Sequence, residues 1–258
     1  MGILNVTPDS FSDGGDALAA TQAIDAGRKM IAEGADVLDI GGESTRPGAA
    51  PVTPDEEARR VIPVISALAS CGVPLSVDTR NASTMAAALD AGAAIVNDVS
   101  ALSHDVASAA LVAARFCPVV LMHMRGTPAT MHEYANYDDV AAEVLAELAE
   151  RVTAAEAAGI DRTRIVVDPG IGFAKLAEHN VLVLKHLPTL LGLGCRVMVG
   201  VSRKRFIGVL GGAGDPKHRL AGSIAAGLYA LSRGASILRV HNVSETIQAV
   251  RVWQALAG

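Results

Sequence analysis

The strongest constraint on this chain is a repeat in which short β-branched runs alternate with longer Ala-rich stretches of helical spacing. Strands are expected at 2–6, 35–40, 74–78, 93–98, 118–122, 164–168, 196–201 and 236–240. Helices are expected between them, most clearly at 17–34, 54–70, 138–159 and 222–234. The strand runs are apolar at nearly every position, as parallel strands buried on both faces must be. Within 17–34, Ala20, Ile24, Gly27 and Ile31 share a face; within 54–70 the inward set is Val61, Ile62, Ile65 and Leu68. Thr53 before Pro54 reads as an N-cap followed by a first-turn proline. Gly34, Gly92 and Gly234 read as helix stops directly before strands. Eight β-then-α units predict a closed (β/α)₈ TIM barrel. An open doubly wound sheet is the alternative, because periodicity does not reveal closure.

Length and composition agree. The 258 residues match the roughly 250 typical of such a barrel, and no linker or compositional shift divides them, so one domain over 1–258 is expected. Aromatic residues are 3 % against 50 % hydrophobic, so the core must be built from Ala, Val, Ile and Leu. A net charge of −5 without a basic patch argues against nucleic-acid binding. Cys71, Cys117 and Cys195 are far apart and form no Cys-x-x-Cys pair, which suits reduced, buried thiols in a cytoplasmic protein rather than metal ligands. The opening residues reach Asn5 and Pro8-Asp9 too soon for a signal peptide, and no apolar run approaches the ~20 residues of a membrane span.

The expected strands turn polar at their C-terminal ends. The tips carry Asn5 and Thr7; Asp39 and then Gly41 to Pro47; Asp78-Thr79; Asn97-Asp98; His123; Asp168-Pro169-Gly170; Ser202 to Arg205; and Arg239 with His241. A lone Asp after a strand often caps the next helix, and Asp39 and Asp98 are read that way. Polar tips on every strand exceed what capping needs, and in a barrel they converge on one face. Asp78, Asn97, Asp168 and Lys204 suit the edge of a flat heterocycle carrying adjacent N–H donors and a carbonyl. Arg239 and His241, two residues apart on one strand beside Asn5, suit an anion, as does the helix start expected at Ser202–Arg205. Arg203 reads as a solvated charge, His123 as a buried structural histidine or a site residue, and His104, His132, His179, His186 and His218 as surface residues. No Walker loop, dinucleotide fingerprint or nucleophile elbow is present.

Two long segments carry a family resemblance. Gly2 to Gly15, reading Gly-Ile-Leu-Asn-Val-Thr-Pro-Asp-Ser-Phe-Ser-Asp-Gly-Gly, resembles the opening signature of dihydropteroate synthases, and Asp39 to Pro47 resembles their second signature. Ser76 to Thr79, Val96 to Asp98, Leu121 to His123, Asp168 to Phe173, Ser202 to Lys204 and Arg239 to His241 extend the match in order. The resemblance implies a TIM barrel that joins a hydroxymethyl-dihydropterin diphosphate to p-aminobenzoate in folate synthesis. It implies a pterin site of Asp78, Asn97, Val99, Met122, Asp168, Lys204 and Arg239, with Arg239 over the ring. Diphosphate would go to Asn5, Thr45, Arg239 and His241, with Mg²⁺ near Asn5. Phe11, Arg46, Pro47, Phe173, Ser202 and Arg205 would hold p-aminobenzoate, and Asp13, Lys204, Arg239 and His241 would serve catalysis. Sulfonamides are the expected inhibitors and a homodimer the expected assembly.

Aniline is neutral at pH 7 and needs no strong base, and a charge-neutralised diphosphate leaves readily, so the implied reaction ionises before the amine attacks. The chain departs from the resemblance at three points. It begins at its first strand, which bears on closure of the barrel's bottom; Arg205 stands where Ser is common; and Asn242 where Asp is common. A pterin-binding methyltransferase barrel is one rival, though it would not need the Asn5–Gly15 loop or Ser202-Arg203-Lys204. A non-catalytic pterin-binding paralogue is another, though it should have lost Asp13, Arg46 or Lys204.

Overall fold

A computed structural model describes residues 1–7, 15–44 and 52–257, with the side chains of 15–17 left undescribed. The strands are β1 (Gly2–Asn5), β2 (Leu38–Gly41), β3 (Leu75–Asp78), β4 (Ile95–Asp98), β5 (Val119–Met122), β6 (Ile165–Asp168), β7 (Arg196–Val199) and β8 (Ile237–Leu238). Seven lie inside the windows expected for them, and β2 runs one residue past its window, to Gly41. They pair in parallel in sequence order from β1 to β8. The ring then closes: Gly2 bridges Val240, Ile3 N donates to Val240 O at 2.9 Å, and Val240 N donates to Met1 O at 3.0 Å. β1 thus joins the end of β8, and the open sheet is excluded.

The helices among the described residues are α1 (Gly15–Ala32), α2 (Pro54–Leu68), α3 (Ala82–Asp90), α4 (Ser108–Arg115), α5 (Val140–Ala157), α6 (Ala177–Lys185), α7 (Arg205–Gly211), α8 (Leu220–Ser232) and α9 (Val243–Ala257). Thr53 caps α2 by accepting from Glu56 N, with Pro54 in the first turn as expected. The fully buried apolar face of α2 is Val61, Val64, Ile65 and Leu68, and Ile62 packs half-buried against the same core. Its spacing of three, four and seven holds a straight stripe against the strands, with Ile62 at the edge of that stripe. On α1 the fully covered positions are Ala23 and Gly27, with Ala20, Ile24 and Ile31 half-buried. The outer strand faces and inner helix faces merge into one core that includes Leu38, Ile40, Ile65, Leu68, Leu75 and Val77. Cys117 and Cys195 are buried and Cys71 half-buried, and all are free thiols. No helix among the described residues is long and apolar enough to cross a membrane.

Register decides which side chains face the lumen. Asp39 pairs with Ser76, Gly41 with Asp78, Asp78 with Asn97, and Met122 with Asp168. Partners in a parallel ladder share a face, and alternate residues of a strand return to it. Asp39, Asp78, Asn97, Met122 and Asp168 thus share the inner face, and contacts described below add Arg239, just after β8.

Candidate functional site

The upper lumen is a ring of carboxylates closed by arginine. Arg239 Nε donates to Asp39 Oδ2 at 2.6 Å, and its Nη2 donates to Asp78 Oδ2 at 2.6 Å. Asn97 Nδ2 donates to the same Asp39 oxygen at 2.9 Å. Asp39 is fully buried, so its expected capping duty gives way to a different one: it anchors Arg239 and orients Asn97. A buried carboxylate requires such partners. Asp98 does not cap a helix either, since α4 begins only at Ser108 behind Ala107; it closes the turn after β4 by accepting from Ser100 N, Ser100 Oγ and Leu102 N. Burial pushes Asp78 up to about 7 against the pull of Arg239.

Asp168 is 4 % exposed and sits opposite Met122. Gly170 N donates to Asp168 Oδ1 at 2.7 Å, which fixes the carboxylate plane. Burial raises its pKa, opposed by that bond and by Lys204 and Arg239. The Lys204 ammonium lies 4.2 Å from the Phe173 ring centroid, a cation–π contact. Burial and the nearby Arg239 lower Lys204 to about 8, against the attraction of Asp168 and Asp78. Val99, Met122 and Phe173, with Met131 and Ala174, form an apolar cluster separate from the main core. An apolar wall beside paired carboxylates and an ammonium is what a flat, polar-edged ring needs.

Further round the rim, Ser202 is buried, and its Oγ accepts from His241 N at 3.2 Å and lies 2.9 Å from His241 Nδ1. Arg203 is not a solvated charge as expected. Its Nε and Nη2 donate to Asn242 Oδ1 at 3.1 and 2.7 Å, and its N donates to Ser223 Oγ at 2.9 Å. The amide of Asn242 suffices for this clasp, so the departure from Asp is accommodated. Arg205 is exposed at the start of α7, which is a turn shorter at its N-terminus than an opening at Ser202 would give. Asn5 ends β1 in register with Gly41. Among the described residues no three His, Cys, Asp or Glu side chains gather as a metal cage. A single amide oxygen at Asn5 nevertheless suits Mg²⁺, which commonly keeps several waters and takes much of its coordination from substrate phosphates. Phe11, Asp13, Thr45, Arg46 and Pro47 lie outside the described residues.

Two features escape a reading of the sequence alone. Lys175 is buried at 9 % exposure and bonds to His123, which is itself buried and reaches Glu147. His179, expected at the surface, is half-buried, accepts from Leu176 N and packs edge-on against Tyr137 at 5.2 Å. His104, His132, His186 and His218 are exposed.

Comparison with known proteins bears directly on this geometry. The family model described as "Pterin binding enzyme" matches residues 1–241. A dihydropteroate synthase of Neisseria meningitidis serogroup B is 46 % identical over 261 residues, covering 99 % of this chain and 92 % of the relative. A probable bifunctional folylpolyglutamate synthase/dihydropteroate synthase of Haloferax volcanii is 47 % identical over 252 residues, and the chain spans 30 % of that longer protein. The Xanthomonas albilineans dihydropteroate synthase, solved with 4-aminobenzoic acid, superposes with a TM-score of 0.95 at 52 % identity, over 100 % of this chain and 92 % of that one. Another structure of that Xanthomonas protein holds 7,8-dihydropteroate, with a TM-score of 0.91 at 50 % identity over 100 % of this chain and 93 % of that one. A Yersinia pestis dihydropteroate synthase in a sulfonamide drug complex superposes at 0.93 with 42 % identity over 100 % of this chain and 93 % of that one. With its closed barrel and its lumen ring of Asp78, Asn97, Asp168, Lys204 and Arg239, the chain belongs to the dihydropteroate synthase family of pterin-binding barrels.

Proposed function

We infer that this barrel condenses 6-hydroxymethyl-7,8-dihydropterin diphosphate with p-aminobenzoate, giving 7,8-dihydropteroate and diphosphate, and that carbon–oxygen cleavage precedes amine attack. The chain is a transferase of the dihydropteroate synthase family. The observation that carries the reading is the inner-face register, which brings Asp78, Asn97, Asp168 and Met122 to one mouth beside Lys204 and Arg239.

In this reading the pterin's adjacent ring N–H and amino group donate to Asp168, whose plane Gly170 N holds. Lys204 donates to the ring carbonyl, and Asn97 and Asp78 take the remaining edge. Val99, Met122 and Phe173 cover the ring. Diphosphate is received by Asn5, Thr45, Arg239 and His241. Asn5 would hold Mg²⁺, which would supply neutralisation of the departing diphosphate's charge. The diphosphate oxygen keeps the bonding pair, and the electron-rich pterin spreads the positive charge left on the methylene carbon. The aniline nitrogen then forms the carbon–nitrogen bond and loses one proton, and the role of Asp13 is to stabilise the cation or that departing proton. Phe173, Ser202 and Arg205, joined by Phe11, Arg46 and Pro47, hold p-aminobenzoate. The segments around Phe11 and Arg46 exclude water that would capture the cation.

The same reading includes sulfonamides as competitors for the p-aminobenzoate pocket, a cytoplasmic location and a homodimer. Exposed Val209 and Leu210 on α7 and Tyr229 on α8 offer apolar area for such a dimer to cover. Diphosphate release tests the reaction. It should appear only when both substrates are mixed with the protein, whereas a methyltransferase or a mere pterin binder releases none.

A further inference from the structure

The turn after β6 carries Asp168 and Phe173, and one buried ammonium sits beneath it. Lys175 Nζ donates to Gly170 O at 3.2 Å and to Phe173 O at 3.1 Å, and lies 2.8 Å from His123 Nδ1. In its charged form Lys175 has three N–H donors and accepts nothing, and these acceptors satisfy all three; burial lowers its pKa to about 7, against the attraction of Asp168 and Glu147. Opposite the charged lysine His123 Nδ1 accepts, which assigns the ring proton to Nε2, 3.0 Å from Glu147 Oε2. Burial lowers the His123 pKa, in keeping with a neutral ring. Arg125 completes the chain: its Nε donates to Glu147 Oε1 at 2.9 Å and its Nη2 to Glu143 Oε2 at 2.7 Å. The His123 bond foremost, with Arg125, holds Glu147 down at about 2.

This chain ends on the substrate side. His123 N donates to Asp168 O at 2.9 Å, and the glycine whose carbonyl Lys175 holds is the one whose N–H orients Asp168 Oδ1. The second carbonyl held belongs to Phe173, whose ring faces Lys204. The energetic reason to bury a lysine here is not core packing, since a desolvated ammonium is costly unless its bonds are worth keeping.

We propose that Lys175 is a positioning residue for the reaction: by tying Gly170 O, Phe173 O and His123 Nδ1 together, it aims the Asp168 carboxylate and the Phe173 ring at the bound substrates. The proposal rests on the reading of Asp168 as the pterin-binding carboxylate. Its test is a double-mutant cycle on the full chain with 6-hydroxymethylpterin as the titrated ligand. Lys175→Met should weaken pterin binding about tenfold, and should add nothing in an Asp168→Asn background. In turnover it should raise KM for the pterin diphosphate about tenfold while kcat falls less than threefold. Glu147→Ala, at a half-buried residue one step removed, should weaken binding about threefold and also add nothing to Asp168→Asn. This second variant decides the matter if Lys175→Met does not fold. Wild-type affinity in the lysine or glutamate variant, or losses that simply add to that of Asp168→Asn, would overturn the proposal. A silent Asp168→Asn would remove the assignment of Asp168 itself, and the proposal with it.

Discussion

Gly170 is the residue at which the site's geometry is most tightly set, and replacing it isolates that geometry from ordinary stability effects. Gly170 has φ +66°, and a Cβ built there would lie 1.9 Å from the carbonyl oxygen of His123. Ordinary carbon–oxygen contacts begin at about 3.3 Å, so the turn or the β5 tip must retreat by roughly 1.4 Å. The neighbour is backbone, held by the His123 N to Asp168 O bond, and cannot swing aside as a side chain would. Gly212 provides the control. Its φ is +67°, nearly the same, but nothing lies within 4 Å of the point a Cβ would occupy. Both alanine variants bear the left-handed cost of about 1–2 kcal/mol; only Gly170→Ala bears the clash. A displacement of about 1 Å at reacting groups can cost about 100-fold. Gly170→Ala should therefore lower kcat/KM about 100-fold, whereas Gly212→Ala should stay within twofold of wild type while losing similar left-handed stability. Steady-state diphosphate release and urea unfolding of both proteins supply the comparison. A Gly170→Ala enzyme within threefold of Gly212→Ala in kcat/KM would refute the claim that this turn sets the substrate geometry.

Three further outcomes are expected. The kcat/KM for pterin diphosphate should rise as Asp78 ionises near pH 7 and fall as Lys204 loses its proton above about pH 8; Lys204→Gln should abolish the alkaline limb, and a flat wild-type profile up to pH 9.5 would contradict the assignment. Sulfamethoxazole should compete with p-aminobenzoate in steady-state inhibition, and a glycine inserted after Phe11 should raise its inhibition constant far more than the Michaelis constant for p-aminobenzoate; non-competitive inhibition would exclude a shared pocket. Calorimetry should show p-aminobenzoate binding only after diphosphate and Mg²⁺ are added, and tight binding to the protein alone would rule out that order.

The windows of all eight strands are legible in the sequence because each is a short apolar run bounded by turn residues, and the polar tips are legible because nothing in a parallel core tolerates them. Closure is not legible. It depends on Ile3 N donating to Val240 O and Val240 N donating to Met1 O, which no side-chain pattern encodes. Asp39 reads as a cap because its partner Arg239 lies 200 residues away in sequence. Arg203 reads as solvated for the same reason, its partner Asn242 being 39 residues on. Lys175 gives no local sign of burial: a lysine just before a helix reads as solvated, and only the carbonyls of Gly170 and Phe173 make the interior acceptable to it. The one available signal is His123, a histidine at a strand tip that needs a partner for each ring nitrogen.

The bond from Arg239 to Asp78 has a consequence for how affinity at this mouth should be measured. The guanidinium already occupies Asp78 Oδ2, offering planar N–H donors much as a heterocycle edge does. If Asp78 takes the pterin edge as proposed, the protein is its own weak competitor, and arrival of a pterin would be an exchange of partners rather than a simple addition. Part of every enthalpy gained by the ligand is offset by an enthalpy surrendered by the arginine. Heats of binding should accordingly be small for the number of bonds made, and removing the guanidinium should raise the Asp78 pKa further, so that proton release from Asp78 accompanies the titration.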